Sequence, residues 1–215
     1  VDGTVNLLKA ASDSNVKRFV YAYSCAAYGD ITELPIKENH PLRPMSPYGV
    51  SKLSAENYVR IFHDVFHLET VCLRYFNVYG SRQSHNQYSG VIVKFLENLK
   101  KNRPLTVFGD GEQTRDFVHV RDVADANVLA LKANDAVGKA FNIATGEPTT
   151  INDLGKLLIE ITRRNVKIVH SQPRKGEIKH SYADISEANA KLLYNPKVTL
   201  RKGLEELAKD YGVLE

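Results

Sequence analysis

Hydrophobic and polar positions follow two different periods along the first half of the chain. Apolar residues recur every three to four positions over 3–12, 46–67 and 90–101, which predicts three helices. Between them, the short β-branched and aromatic runs 18–23 and 69–75 predict strands. This alternation of helix and strand favours an α/β fold with a parallel sheet whose faces are covered by helices.

The second half mixes shorter elements, which is typical of a smaller lobe. Residues 105–109 and 115–120, on either side of Asp110-Gly111, predict a β-hairpin. The other periodic segments predict helices over 121–134, 152–164, 185–193 and 200–211 and strands over 140–144 and 166–169.

Composition places the chain among ordinary globular proteins. It has 215 residues, of which 43% are hydrophobic and 25% are charged, and 29 basic minus 25 acidic residues leave a net charge of +4. That excess is too small to indicate nucleic acid. The basic stretches 100–103 and 163–167 contain no aromatic residues, so RNA binding is a weak alternative. No window approaches the roughly 18 consecutive apolar residues of a membrane span, so we expect no membrane partner.

The cysteines and histidines do not predict a metal site. Cys25 and Cys72 form no CxxC motif, and we interpret them as small buried hydrophobic residues of a cytoplasmic protein. His63 and His67 have the i, i+4 spacing that can hold a metal, but no third ligand is evident. A surface pair on a helix is the simpler interpretation.

Tyr48 and Lys52 are the first candidates for chemistry. They lie at i and i+4 on one predicted helix, so their side chains share a face. An ammonium group beside a phenol favours the charged phenolate, which would make Tyr48 usable as an acid or base. Ser24 follows the end of a predicted strand, where open α/β sheets bind their ligands. We therefore expect Ser24 to hydrogen-bond the substrate oxygen that exchanges a proton with Tyr48.

The spacing Ser24-(x)23-Tyr48-x-x-x-Lys52 resembles the Ser–Tyr–Lys triad of the extended short-chain dehydrogenase/reductase family, which includes NAD-dependent epimerases and dehydratases. Further segments match that family in order along nearly the whole chain. They are AYG at 27–29, SPYGVSK at 46–52, LRYFNVYG at 73–80, FGDGEQTRDFV at 108–118, FNI at 141–143 and RKGE at 174–177.

Within this family the chain is similar to nucleotide-sugar 4-epimerases of the UDP-glucose and UDP-N-acetylglucosamine type. The resemblance implies that Tyr48 takes the proton of the sugar 4-hydroxyl with help from Ser24, while C4 passes a hydride to NAD. A 4-keto sugar then turns over and is reduced on its other face. Lys52 would hold the nicotinamide ribose and Tyr75 would pack near the nicotinamide.

The resemblance also implies a set of residues for the UDP-sugar. Asn77 would contact the diphosphate, and the planar guanidinium groups of Arg115 and Arg174 would clamp it. Glu177 would hold the ribose of the nucleotide. Ser181 is small where a bulky residue closes the space beside the sugar 2-substituent, so an N-acetyl group is expected to fit. The uridine side would be lined by Val91 and Ile92.

At some positions the chain lacks residues that other enzymes of the family need, and this reduces the number of reactions that we expect it to catalyse. Dehydratases of the family carry an Asp-Glu pair directly after the serine position, where this chain has Cys25 and Ala26. Decarboxylases tend to carry a glutamate nearby, which is also lacking. The alternatives are another nucleotide-sugar enzyme of the family, such as a dehydratase, decarboxylase or reductase, or a catalytically silent binding protein.

The resemblance implies a domain division. Residues 1–80 would form the C-terminal part of an NAD-binding Rossmann domain, and 81–215 a mixed α/β sugar-nucleotide lobe, with 116–145 returning to the Rossmann sheet. No Gly-rich turn of the Rossmann fingerprint is found, because Gly109 and Gly111 suit a turn instead. We therefore expect a partial parallel sheet whose first strands are missing. We also expect these 215 residues alone to be inactive and to bind NAD poorly.

Family members form dimers through a four-helix bundle. The matching helices here would be 3–12 and 46–67, so we expect a homodimer built from these two helices.

Overall fold

A computed structural model of the chain describes residues 1–83, 90–174 and 176–214. Its helices in those ranges are α1 (Asp2–Asp13), α2 (Pro47–Phe66), α3 (Val91–Lys100), α4 (Val120–Lys132), α5 (Ile151–Thr162), α6 (Ser186–Leu192) and α7 (Leu200–Asp210). Its strands there are β1 (Arg18–Ser24), β2 (Glu69–Tyr75), β3 (Asn77–Tyr79), β4 (Leu105–Phe108), β5 (Thr114–His119), β6 (Lys139–Ile143), β7 (Pro148–Thr150), β8 (Ile168–Ser171) and β9 (His180–Ser181).

A three-stranded parallel sheet of order β1-β2-β6 organises the first half of the chain. The register of β1 and β2 runs from Arg18 opposite Glu69 to Ser24 opposite Tyr75, so the two strands end together. Alternate residues of β2 face opposite sides. Leu73 packs in the cluster that includes α4, whereas Cys72 packs with α1 and α2. The predicted parallel α/β sheet with helices on both faces is therefore confirmed.

Helix α2 begins and ends where its sequence predicts. The Ser46 hydroxyl accepts a hydrogen bond from the Gly49 amide at 3.0 Å, and Pro47 occupies the first turn, where its missing amide proton leaves no bond unmade. His67 closes the helix in the left-handed conformation. These local signals place Tyr48 in the first turn of α2, on the segment that packs against the end of β1.

The hairpin predicted around Asp110-Gly111 is wrong. Strand β4 pairs with β8 and not with β5, whereas β5 pairs with β3, β7 and β9. The Gly109 amide donates to the carbonyl of Ser171 and so extends the pairing of β4 with β8, and Gly109 and Gly111 both have positive φ in the segment between β4 and β5. The two strands therefore belong to different sheets of the smaller lobe.

The core of the second half lies between α3, α5, α7 and β4. Its largest fully buried members include Phe95, Leu99, Leu105 and Leu154. The segment 116–145 is divided between the two sheets. Its first residues lie in β5 of the second sheet, its helix α4 packs on the parallel sheet, and its strand β6 is part of the parallel sheet. Within the described ranges, no helix is long and apolar enough to cross a membrane.

Candidate active site

Ser24 and Tyr48 belong to two segments that pack tightly together. Ser24 ends β1 and leads into a short 3₁₀ turn, Cys25–Ala27, in which its hydroxyl oxygen accepts from the Ala26 amide at 3.2 Å. At Gly49, the residue after Tyr48, a β-carbon would lie 2.6 Å from the Ala26 carbonyl oxygen. Only glycine allows this approach. The segments that carry the predicted Ser24 and Tyr48 therefore lie against each other at the carboxyl end of β1.

Lys52 lies beside the phenol ring as the i, i+4 spacing predicts. Its ammonium is 5.8 Å from the centroid of the Tyr48 ring and 5.7 Å from that of Tyr21. Tyr48 is 56% exposed, so its ring is open to a ligand. Among the described residues, no carboxylate forms an ion pair with Lys52 within 4.0 Å. The ammonium therefore remains available to the phenol oxygen or to ligand hydroxyls.

Tyr75 lies at the end of β2, directly opposite Ser24. Its hydroxyl is held by the side-chain amide of Asn127 on α4, with O···O and O···N distances of 2.9 and 2.8 Å. Burial raises the pKa of this hydroxyl, and the Asn127 bond partly opposes the shift. Tyr75 is thus a fixed ring beside Ser24. Sequence reasoning missed Asn127, since one asparagine on a helix has no distinguishing spacing.

A second part of the site is a cavity of about 260 Å³ in the smaller lobe. Five residues predicted for the UDP-sugar line it together: Asn77, Val91, Arg115, Arg174 and Glu177. They come from β3, α3, β5 and the loop after β8, so the fold gathers residues up to about 100 positions apart, as a folded binding site requires. Ile92 does not line this cavity. It is buried in the core, because adjacent helical residues point about 100° apart.

Charge in this cavity is mainly positive. The Arg115 guanidinium pairs with the Glu177 carboxylate at 3.4 Å, and burial lowers the pKa of Arg115 while Glu177 opposes that shift. The Arg174 guanidinium lies 4.0 Å from the centroid of the Phe108 ring. Phe108 was not predicted as a site residue, because an aromatic residue in a strand usually belongs to the core. The cavity is suited to an anion that carries a planar group.

Ser181 lies between the two parts of the site. It is opposite Arg115 in the pairing of β5 and β9, it is 8% exposed, and its hydroxyl interacts with the Cys25 thiol. Burial raises the pKa of Cys25 to about 12, so this thiol stays protonated and does not act as a nucleophile near neutral pH. Ser181 therefore contacts the turn that follows Ser24 instead of lining the 260 Å³ cavity.

The structure gives the histidine pair on α2 no third candidate metal ligand among the described residues. The His63 ring faces the Leu68 carbonyl oxygen at 3.2 Å, and His67 turns away as the left-handed C-cap. No group of three or more potential metal ligands occurs in residues 1–83, 90–174 and 176–214.

Known proteins are similar to this chain in both sequence and fold. The model of the NAD dependent epimerase/dehydratase family matches residues 1–144. The chain belongs to this family. Its α/β architecture is that of Rossmann-like epimerases, whose structures it matches at TM-scores of about 0.9.

Three solved structures illustrate the likeness. The UDP-N-acetylglucosamine 4-epimerase of Methanobrevibacter ruminantium, solved with UDP-N-acetylmuramic acid, is 34% identical with a TM-score of 0.94, covering 98% of this chain and 68% of its own. The UDP-glucose 4-epimerase of Thermotoga maritima, solved with UDP-glucose, is 38% identical with a TM-score of 0.93 and the same coverage. The UDP-glucuronic acid 4-epimerase of Bacillus cereus, solved with UDP-glucuronic acid and NAD, is 34% identical with a TM-score of 0.90, covering 97% and 66%.

The chain spans 66%, 61% and 65% of the length of the first three curated relatives that it matches. The family model covers Ser24, Tyr48 and Lys52, and the 215 residues contain no Gly-rich Rossmann turn.

Proposed function

We propose that this protein catalyses the NAD-dependent 4-epimerisation of a UDP-hexose. The observation that supports the proposal is the close packing of the Ser24 turn on the first turn of α2, with Lys52 beside the Tyr48 ring, at the carboxyl end of β1. Similarity to 4-epimerases for three UDP-sugars supports the same reaction class. UDP-glucose and UDP-galactose are the proposed substrates, and we expect the N-acetyl forms to be accepted as well.

The triad residues have distinct roles in this proposal. Tyr48 accepts the proton of the sugar 4-hydroxyl and later returns it, acting as base and then as acid. The Ser24 oxygen already accepts a bond from the Ala26 amide, so its own proton is free to be donated to the sugar oxygen. Lys52 places its ammonium 5.8 Å from the centroid of the Tyr48 ring, within reach of the ribose of a bound nucleotide.

NAD fits the residues that are present, within the part of the site that this chain contains. Bound NAD supplies the hydride acceptor and donor for C4. No carboxylate among the described residues pairs with the Lys52 ammonium, which suits ribose hydroxyls, and Tyr75 lies beside Ser24 at the end of the sheet. Because the sequence lacks a Gly-rich turn for the pyrophosphate, we propose that the 215 residues alone bind NAD weakly and are inactive.

The cavity in the smaller lobe is the proposed site for the UDP group. Arg115 and Arg174 neutralise the diphosphate, and the rigid guanidinium fork suits two phosphate oxygens at once. Asn77 donates to the same group, Glu177 accepts from the nucleotide ribose, and Val91 borders the base. With the nucleotide bound in this cavity, the sugar ring extends past Ser181 towards Ser24 and Tyr48.

Two further parts of the proposal concern the assembly. An exposed apolar row on α1 and α2 supports a homodimer through residues 3–12 and 46–67. The row contains Leu7, Val50, Tyr58, Ile61 and Val65. Two free cysteines, Cys25 and Cys72, are consistent with a cytoplasmic protein.

Replacement of one hydroxyl tests the proposed reaction. In the protein at its natural full length, Tyr48→Phe is expected to lower kcat for UDP-glucose by about 10²- to 10⁴-fold, the usual contribution of a general acid–base group. Tyr58→Phe, on the outer face of the same helix, is the matched control, because it removes the same hydroxyl but keeps the ring in the proposed dimer row, and it should keep the wild-type kcat. Equal rates for Tyr48→Phe and wild type would overturn the role assigned to Tyr48.

A further inference from the structure

A buried ion pair lies one helical turn beyond Lys52 on α2. Glu56 follows Tyr48 and Lys52 at the same four-residue spacing, so all three share a face of the helix. The Glu56 carboxylate is fully buried and binds Arg74 of β2 through two bonds, from Nη2 at 2.6 Å and from Nε at 3.1 Å. This bidentate pair fixes both the rotation of α2 and its position along β2.

The same guanidinium also reaches the segment that follows Ser24. Arg74 Nη1 donates to the Tyr28 hydroxyl oxygen at 2.7 Å and to the Glu38 carbonyl oxygen at 2.9 Å. Tyr28 is fully buried, closes the 3₁₀ turn through its amide, and donates from its hydroxyl to Asn142 of β6 at 2.7 Å. One buried side chain therefore contacts the helix that carries Tyr48 and the turn that follows Ser24.

We propose that Arg74 is a positioning residue, which holds the Ser24 turn and helix α2 in their catalytic arrangement through Tyr28 and Glu56. Arg74 does not line the UDP cavity, and it reaches the two catalytic segments through these two neighbours. A buried ion pair is weak evidence for stability, because its desolvation offsets most of the attraction between the charges. The proposed role of the ion pair is to fix the positions of catalytic groups, since a displacement of about 1 Å in such a group can reduce the rate about 100-fold.

A second bidentate arginine–carboxylate pair, which joins β1 to β2, provides the control, although its carboxylate is 36% exposed whereas that of Glu56 is buried. Arg18, at the start of β1, binds Glu69, at the start of β2, through Nε at 2.8 Å and Nη2 at 2.7 Å. Its third nitrogen donates to backbone carbonyls at the C-terminal end of α4, including that of Ala133 at 2.8 Å. This pair has the same chemistry, but it lies at the other end of the strands and contacts neither catalytic segment.

The test compares three variants of the protein at its natural full length. Tyr28→Phe removes only the hydroxyl that joins Arg74 to the Ser24 turn, and Glu56→Gln removes the charge on α2. Glu69→Gln makes the same change in the control pair. Amide hydrogen exchange is measured over 24–28 and 46–52, together with kcat, KM and the unfolding midpoint.

We expect Tyr28→Phe and Glu56→Gln to raise exchange in both segments and to lower kcat by about 10- to 100-fold with KM within twofold of wild type. Glu69→Gln should lower the unfolding midpoint while leaving kcat and both segments unchanged. Wild-type exchange in the two segments after Tyr28→Phe, or an equal loss of kcat in Glu69→Gln, would overturn the positioning role.

The kinetic half of this test rests on the proposed epimerase function, whereas the exchange half does not. If the wild-type protein turns over no UDP-sugar, the proposed function fails. In that case, raised exchange in both segments still supports the positioning role of Arg74, and unchanged exchange rejects it.

Discussion

Gly49 sets the distance between the two catalytic segments. A β-carbon at this position would lie 2.6 Å from the Ala26 carbonyl oxygen and 2.9 Å from the β-carbon of Pro44. Both neighbours are held by the backbone and cannot move aside as a flexible side chain would. Gly3 is the opposite case, because a β-carbon there meets nothing within 4 Å.

Adding one methyl group at each of these two glycines is expected to have opposite effects on stability. Gly49→Ala is expected to destabilise the protein by about 1–3 kcal/mol through overpacking, and to lower kcat by moving Tyr48 away from the Ser24 turn. Gly3→Ala should instead raise stability by up to about 1 kcal/mol, because alanine favours the helix. Urea unfolding and steady-state kinetics measure both effects. A Gly49→Ala variant with wild-type kcat would contradict the account.

The residues found from sequence differ physically from those that were missed. Tyr48 and Lys52 were predicted from their i, i+4 spacing on one helix, Ser24 from its place after a strand, and the three together from their resemblance to the family motif. Glu56 and Arg74 were missed, because a charged residue in a helix or strand is usually solvated and nothing local shows that the two are buried against each other. Long-range contacts of this kind become visible only when the chain is folded.

Helix α2 has two faces with different tasks. Its inner face packs on the parallel sheet through Ala55, Val59 and Phe62, whereas Val50, Ile61 and Val65 of its outer face are each about half exposed. Exposed apolar side chains in a continuous row are typical of a surface that is covered by a partner. Helix α1 adds Leu7, which is 62% exposed, to this surface.

A charge in that row tests the proposed dimer. Ile61→Glu should shift the protein at its natural full length from dimer to monomer in sedimentation velocity, because a carboxylate would be buried at the interface without a partner. Leu131→Glu, at a similarly exposed apolar position on α4 beyond the other face of the sheet, is the matched control and should stay dimeric. A wild-type protein that sediments as a monomer would reject the dimer.

Local sequence signals predicted α2 well but failed between β4 and β5. The cap residues of α2 act within one turn, so the sequence contains all the information that fixes its ends. The Asp110-Gly111 turn looks like a hairpin locally, yet the strand that pairs with β4 is β8, about 60 residues further along the chain. Strand pairing depends on the whole lobe, and short strands such as β3, β7 and β9 carry too few residues to show a period.

At the scale of the whole molecule, the fold places two chemically different sites next to each other. The parallel sheet ends at Ser24 and Tyr75, and the smaller lobe contributes the cationic cavity around Arg115 and Arg174. Ser181 of β9 connects them, because it lies opposite Arg115 and contacts Cys25. In the proposed arrangement, the smaller lobe binds the nucleotide and the sugar turns over at the end of the parallel sheet.

The most direct test of this account is the identity of the product. The protein at its natural full length is incubated with UDP-glucose and, separately, with UDP-N-acetylglucosamine, and the anomeric protons are followed by NMR. We predict that UDP-glucose is converted to UDP-galactose, that the acetylated sugar is converted to its C4 epimer, and that the 215 residues alone convert neither. Turnover of UDP-glucuronic acid alone would contradict the sugar assignment. A folded, NAD-loaded protein that leaves C4 unchanged in every UDP-hexose would contradict the central claim.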